Sequence, residues 1–437
     1  MSGRLGYGSE QSLGGSPGTV PSAIGDVPLG VKAHAVVCGT ATTCIIHGDG
    51  LVRCWGLGYK GSLATGSENS VGHVPTLLPR DAADADIGVR VLDLVVSAHA
   101  CALVEAAEHA ALGHLRCWGP NQHGQLGYGN TRDVGDTPAT TPRLIGNVPV
   151  GALVRQVDVG LYHTCVVTEA FRLRCWGGNE FGQLGYGRAG TLGDTAATVP
   201  ALNGDVDVGP LRVLRVSCGA WHTCVLLEDQ SVKCWGRGET ASGPGGAIGY
   251  GDDQDMSPHG YVTVQPAQLR AVRVGGKVAL LRSGRAHTCA VMLDENQAED
   301  DEVGSSRIRC WGWNSFGQLG YGHRRSVGAD ASFLPMHAGD VPVDPVKHDP
   351  WMVIDIRREF ALLPYGRHGA ELPFRVAYSP GALAKLAAFG GALLCAVFLA
   401  WNALCRRSGP REQIAATDAP RTIGVNLDSG GGGGKRD

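Results

Sequence analysis

The 437-residue sequence is short of charge. Asp, Glu, Lys and Arg make up 18% of it, and 38 basic residues nearly cancel 41 acidic ones, leaving a formal net charge of −3. So thin a charge pattern argues against a coiled coil, a helical bundle and a charge-driven disordered chain. A near-neutral chain has no domain-wide basic field with which to hold a phosphate backbone, so nucleic acid is not an expected partner. The signatures of chemistry are missing as well: there is no Walker loop, no nucleophile elbow and no HExxH helix. Gly56-Leu57-Gly58-Tyr59-Lys60-Gly61 matches the dinucleotide glycine spacing, but no strand–helix–strand unit surrounds it, so it reads as a turn. No catalytic, cofactor or metal residue is expected, and the chain is read as a non-enzyme. The opening, MSGRLGYGSEQS, carries no leader-like apolar run and starts inside a repeat, as if the true start lay upstream.

What the chain has is glycine, 66 residues, and repetition. Cys-Trp-Gly recurs at Cys54-Trp55-Gly56, Cys117-Trp118-Gly119, Cys175-Trp176-Gly177, Cys234-Trp235-Gly236 and Cys310-Trp311-Gly312, at spacings of 63, 58, 59 and 76 residues. A second signature follows each time: GQLGYG at 124–129, 182–187 and 317–322, degraded to GSLATG at 61–66 and AIGYG at 247–251. A sixth copy, GRLGYG, lies at 3–8. Upstream of each Cys-Trp-Gly stands a short apolar segment around His163-Thr164-Cys165, His222-Thr223-Cys224, His287-Thr288-Cys289, or the looser Thr43-Cys44 and His99-Ala100-Cys101. Alternation and β-branched content make these segments strands, for example Val157–Val159, Cys165–Thr168 and Leu173–Trp176. A unit of about 60 residues with three or four strands cannot bury both faces alone, so the units must stack in a ring or solenoid. Four-stranded units of this size suit propeller blades. The recurring histidines and tryptophans then read as structural, the histidines hydrogen-bonded within each blade and the tryptophans packing between blades.

Gly-x-x-His-Thr followed by Trp-Gly-x-Asn-x-x-Gly-Gln-Leu-Gly resembles the repeat of the regulator of chromosome condensation family. The closest copies are Trp118-Gly119-Pro120-Asn121 leading into Gly124-Gln125-Leu126-Gly127, and Trp176-Gly177-Gly178-Asn179 leading into Gly182-Gln183-Leu184-Gly185. The resemblance implies an all-β propeller over residues 1–343, six blades by count where the family expectation is seven. A worn hairpin in 344–381 (strand-like at 351–356 and 374–378) would be completed by the N-terminal half unit, closing the ring. The founding activity of the family is guanine nucleotide exchange on a small GTPase. Its plant ultraviolet photoreceptors carry Gly-Trp-Arg-His-Thr motifs; here only Gly219-Ala220-Trp221-His222-Thr223 comes near, without the arginine.

Ten of the 14 cysteines fall at two repeat positions: Cys44 with Cys54, Cys101 with Cys117, Cys165 with Cys175, Cys224 with Cys234, and Cys289 with Cys310. With His47-Gly48-Asp49-Gly50 as the turn, Cys44 stands opposite Cys54 at a non-hydrogen-bonded position, where β-carbons are close enough for a disulfide. Both members are present in every clear hairpin, which favours disulfides over small core hydrophobes. Zinc fits worse, because each hairpin offers two thiolates and no tight knuckle. Cys38 and Cys218 share a further position and read as buried thiols. The acidic stretch 294–302 reads as a solvated loop in the fifth hairpin.

From Leu386 to Cys405 the chain is uncharged for 20 residues, about 30 Å of helix, with Lys385 before it and Arg406-Arg407 after it. The segment 382–407 is read as a single membrane helix that meets the lipid bilayer, with 408–437 a disordered cytoplasmic tail and the propeller exoplasmic. The alternative is a tail anchor with a cytosolic propeller. The expected function is a membrane-anchored binding module taking a protein or glycan partner on one propeller face. A cytosolic exchange factor and a fragment of a larger receptor are the competing readings.

Overall fold

A computed structural model of the chain describes residues 3–107, 109–240, 243–251, 265–293 and 307–342. Within them the repeats fold into five three-stranded antiparallel units. The strands are β1 (Ala33–Cys38), β2 (Thr42–His47) and β3 (Leu51–Gly56); β4 (Val91–Val96), β5 (Ala100–Ala106) and β6 (His109–Trp118); β7 (Val154–Val159), β8 (His163–Thr168) and β9 (Leu173–Gly177); β10 (Val213–Cys218), β11 (His222–Leu227) and β12 (Val232–Gly236); and β13 (Val278–Ser283), β14 (His287–Met292) and β15 (Arg307–Gly312). The remaining helices are single turns, several opening on a proline, as at Pro142–Ile145 and Pro200–Asn203. Residues 344–437, and with them the worn hairpin and the Leu386-to-Cys405 segment, lie outside the described residues. Among the described residues no helix is long and apolar enough to cross a membrane.

Consecutive strands pair with consecutive strands, and the first strands of successive units lie side by side. In all five units the pairing of the first strand with the second slips by one residue near its start, between Val154 and Gln156 in the third unit and at the equivalent place in the others. Such a bulge re-aims the side chains that follow it. In the third unit those side chains cap the next unit's first strand. Val216 N–H donates to Gln156 Oε1 at 2.8 Å, Gln156 Nε2 returns a bond to Val216 O at 2.9 Å, and Cys218 N–H donates to Asp158 Oδ2 at 2.8 Å. One unit on, Ser283 N–H donates to Ser217 Oγ at 2.7 Å. Backbone groups that would otherwise form an open sheet edge are thereby satisfied.

The glycine signature supplies the other half of each junction. In five of the Gly-x-Leu and Gly-x-Ile loops, at Arg4, Ser62, Gln125, Gln183 and Ala247, the carbonyl of x accepts from the following unit. Trp176 Nε1 and Thr164 Oγ1 both donate to Gln125 O, at 3.0 and 2.8 Å. Trp235 and Thr223 do the same to Gln183 O at 3.0 and 2.8 Å. The N-terminal copy behaves likewise toward the first unit, where Trp55 and Thr43 each donate to Arg4 O at 3.0 Å. The five Cys-Trp-Gly tryptophans are at most 1% exposed, so the packing between units read from the sequence is found. It carries a directional hydrogen bond in four of them, since Trp118 also donates to Ser62 O, at 3.2 Å. The exception is Trp311, whose Nε1 is buried without a partner; the preceding loop there is the degraded copy containing Ala247.

The glycine after Leu in GQLGYG seats the next indole. Gly185 has φ +79°, and a β-carbon there would stand 2.8 Å from Trp235 Nε1. The tyrosine that follows ties its own unit together: Tyr128 Oη accepts from Cys117 N–H at 3.1 Å and lies 3.1 Å from Gly146 O. A strap of constant length completes the unit. Arg53, Arg116, Arg174 and Arg309, each just before a Cys-Trp-Gly, donate Nε to a side chain 31 residues later: Asp84, Asn147, Asp205 and Asp340.

Gly185→Ala combines a left-handed backbone with a clash against Trp235. It is expected to lower unfolding free energy by roughly 2 to 4 kcal/mol. Urea titration of the full chain checks this; a midpoint within error of wild type would show that the indole can move away at little cost.

Candidate interaction face and its buried support

The sequence placed ten cysteines in pairs, and the register sets each pair directly opposite: Cys44 and Cys54, Cys101 and Cys117, Cys165 and Cys175, Cys224 and Cys234, Cys289 and Cys310. Their Cα atoms are 4.1 Å apart in every pair and the sulfurs are bonded. Four pairs are buried in full and the fifth in part. Cys38 and Cys218 lie on first strands outside the five disulfides, paired in register with Thr43 and Thr223. Burial and the nearby Asp158 carboxylate push the Cys218 thiol well above its ordinary pKa. His163, Cys165 and Cys218 bring ligand-type atoms within 4.8 Å of one another, but Cys165 is bonded to Cys175 and offers no thiolate.

The histidines correct one expectation. They bond not within a unit but across the junction, to the threonine of the next unit: His99 Nε2 to Thr164 Oγ1 at 2.8 Å, His163 to Thr223 at 3.0 Å and His222 to Thr288 at 3.0 Å. Each of these threonines gives its one proton to a Gly-x-Leu or Gly-x-Ile carbonyl. The histidine must therefore be the donor, which fixes the tautomer with the proton on Nε2. Nδ1 is then a bare lone pair, and in His99 and His163 it is buried without a partner. The rings rest on backbone: a β-carbon on Gly219 would lie 1.9 Å from the His222 ring. Burial lowers the pKa of His99, His163 and His222 to about 3 and of His287 to about 4. At neutral pH these rings are uncharged, enclosed and committed to a neighbour, so they serve as joints and not as general bases.

Sheet direction brings two sets of loops to the same end of the stack. One is the turn between first and second strands, holding Tyr162, Trp221 and Arg285; the other follows the third strand, holding His123, Phe181, Arg237 and Phe316. The two sets meet across junctions. His123 packs on Tyr162 of the next unit with centroids 4.8 Å apart, and Phe181 meets Trp221 edge-on at 6.3 Å. Backbone bonds pin the turns to each other: Leu161 N–H to Ala220 O at 3.2 Å, and Ala220 N–H to Arg285 O at 3.0 Å. In the same loop Phe316 is 71% exposed, and Tyr59, one position earlier in its copy, is 53% exposed. Gly56 through Gly61, the dinucleotide-like pattern, lies in this loop system, with Gly56 bridged to Val71 and Gly61 against Asp136 of the next unit. The acidic stretch 294–302 lies outside the described residues.

Sequence reasoning missed the cross-junction aromatics and the arginine straps. Both had a signal: the aromatic recurs five residues after most Cys-Trp-Gly tryptophans, and the arginine-to-Asp/Asn interval is constant.

Stacked three-stranded units, a glycine loop reaching into the next unit and an indole received there define a class of repeat protein. Over part of its length the chain matches regulator of chromosome condensation repeats: two models, both described as "Regulator of chromosome condensation (RCC1) repeat", match residues 113–167 in one case and 154–183 with 213–239 in the other. It is 28% identical over 214 residues to the ultraviolet-B receptor UVR8 of Arabidopsis thaliana, covering 48% of this chain and 40% of that one. It is 27% identical over 330 residues to the human E3 ubiquitin-protein ligase HERC2, covering 74% of this chain and 6% of that one. The chain thus spans less than half the length of these relatives. Among solved structures it is similar to human WBSCR16, with 17% identity, 69% of this chain and 66% of that one covered, and a TM-score of 0.47.

Neutral buried histidines make stability depend on pH. Unfolding returns each ring to a pKa near 6.5, so the unfolded chain binds more protons between pH 6.5 and about 3 to 4, and stability falls as pH drops through that window. Asp158, raised to about 6 by burial, acts in the opposite sense as a single group. At pH 5 each fully buried histidine is expected to cost about 2 kcal/mol relative to pH 8. Urea midpoints from pH 8 to 4.5 should fall steeply, and His222→Gln should flatten the slope by about one proton. A flat profile would contradict the neutral assignment.

Proposed function

We propose that the chain is a binding module, a six-bladed ring closed by residues 353–380 together with the N-terminal copy, which presents its loops to a protein partner. The observation that carries this reading is the gathering of variable loops at one end of a stack whose junctions are buried, hydrogen-bonded and stapled. Rigid scaffolds with variable loops on one face bind by display. The N-terminal copy supports the ring, because it engages the first unit as each glycine loop engages its successor, while its own hairpin is missing from the described residues. The five oxidised pairs favour an exoplasmic location, and the uncharged run from Leu386 to Cys405, flanked by Lys385 and Arg406-Arg407, favours a membrane anchor with a cytoplasmic tail.

The repeat family gives a second reading, nucleotide exchange on a small GTPase in the cytosol. Protein purified with thiols blocked at lysis separates the two. Mass spectrometry is expected to recover the five pairs disulfide-linked, and a membrane-impermeant protease should cut the propeller on intact cells. Ten individually alkylated cysteines, a protected propeller and accelerated nucleotide release from any member of a GTPase panel would replace display outside the cell with exchange within it.

A further inference from the structure

Two arginines at the loop end converge on one aromatic pair. Arg237 lies over the Phe181 ring at 4.6 Å and over the Trp221 ring at 5.4 Å, and Arg285 lies over Trp221 at 5.7 Å. Three of the other ring-stacked cations have a carboxylate in reach: Lys60 has Asp133 at 3.3 Å, Arg212 has Glu228 at 4.0 Å and Arg325 has Asp330 at 3.8 Å. Among the described residues Arg237 and Arg285 have none. Their charge is compensated only by ring faces, which neutralise nothing and leave the guanidinium N–H groups free to bond outward.

The cluster is also held rigidly. Phe181 comes from the third unit, Trp221 and Arg237 from the fourth and Arg285 from the fifth, so it exists only where three units meet. Arg237 N–H donates to Trp221 O at 2.8 Å and Ala220 N–H donates to Arg285 O at 3.0 Å. One residue below, His222 is locked to Thr288. Arginine and tryptophan on a fixed base are the residue types that carry binding energy at protein interfaces, and a guanidinium fork matches a carboxylate with two parallel bonds.

Resting on the binding-module reading, we infer that Phe181, Trp221, Arg237 and Arg285 form a docking site for an acidic peptide segment of the partner protein. Its carboxylates pair with the two guanidiniums, and an adjoining apolar side chain covers the Phe181 and Trp221 rings. Positive charge without a carboxylate partner selects the acidic residues, and the half-buried rings select a peptide with apolar neighbours over a purely anionic polymer.

The test uses the full chain and a short fluorescein-labelled peptide of alternating glutamate and phenylalanine, read by anisotropy. Saturable binding is expected that weakens as salt rises from about 0.05 to about 0.5 M. Arg237→Ala with Arg285→Ala should weaken it at least about tenfold, Arg237→Lys with Arg285→Lys should restore only part, and Arg212→Ala at the opposite end should change nothing. Absence of binding, equal binding of a glutamine-for-glutamate peptide, indifference to the two arginines, or binding of a heparin fragment in place of the peptide would each overturn the inference. The reading of the chain as a binding module fails separately: proximity labelling on cells that recovers a partner crosslinked elsewhere leaves it standing, whereas recovery of none removes it.

Discussion

A carbonyl oxygen has two lone pairs, and the architecture turns on where those of one residue per repeat are spent. The oxygens of Arg4, Gln125 and Gln183 each accept an indole N–H and a threonine hydroxyl, both from the following unit. The donors are buried, and a buried donor left empty costs about as much as the whole net value of a hydrogen bond. The spacing between units, the tilt of the tryptophan and the threonine rotamer are thus fixed together. The histidine joint is built on the same hydroxyl: because the threonine proton is already committed, the imidazole of the unit before it must give rather than receive. Where the sequence departs from the repeat, the arrangement weakens in the expected place. Ala100 has no hydroxyl, and the degraded loop before the fifth unit leaves the indole of Trp311 without an acceptor.

Two kinds of bond divide the labour. Disulfides lie within units and shorten the loops of the unfolded chain, so they support each hairpin whether or not its neighbours are present. Hydrogen bonds donated by Trp, Thr, His and Gln156, and those accepted by Gln156 and Asp158, lie between units and mean nothing without a neighbour. Nearest-neighbour energetics of this sort is the general condition of repeat proteins. Here it is reinforced by polar groups that are buried only because the next unit covers them.

Much of this was legible in the sequence. Hairpins, turns and opposed cysteines follow from local spacing: once His47 to Gly50 is the turn, Cys44 can only face Cys54. Packing of the tryptophans between units could also be read, since a unit of this length cannot hide an indole by itself. The destination of the histidine bonds could not. A repeated motif looks the same whether its acceptor sits in its own copy or the next, and only the fold distinguishes a bond that closes a unit from one that leaves it. The separation of 60 residues between His163 and Thr223, one repeat period, was the available clue. The arginines of the cluster were harder to see: Phe181 and Trp221 repeat the positions of His123 and Tyr162, but Arg237 and Arg285 stand where the other units carry other residues, and no periodic reading joins them to the rings.

The Gly-x-Leu contact also has a direction. The loops at Arg4, Ser62, Gln125, Gln183 and Ala247 all offer their oxygen forward along the chain, so a unit depends for its joint on residues synthesised before it. As the polypeptide leaves the ribosome, each of these five hairpins meets an acceptor carbonyl already in place, and order spreads along the chain like a zip drawn one way. A break in an early joint should therefore trap more of the nascent chain than the same break in a late one.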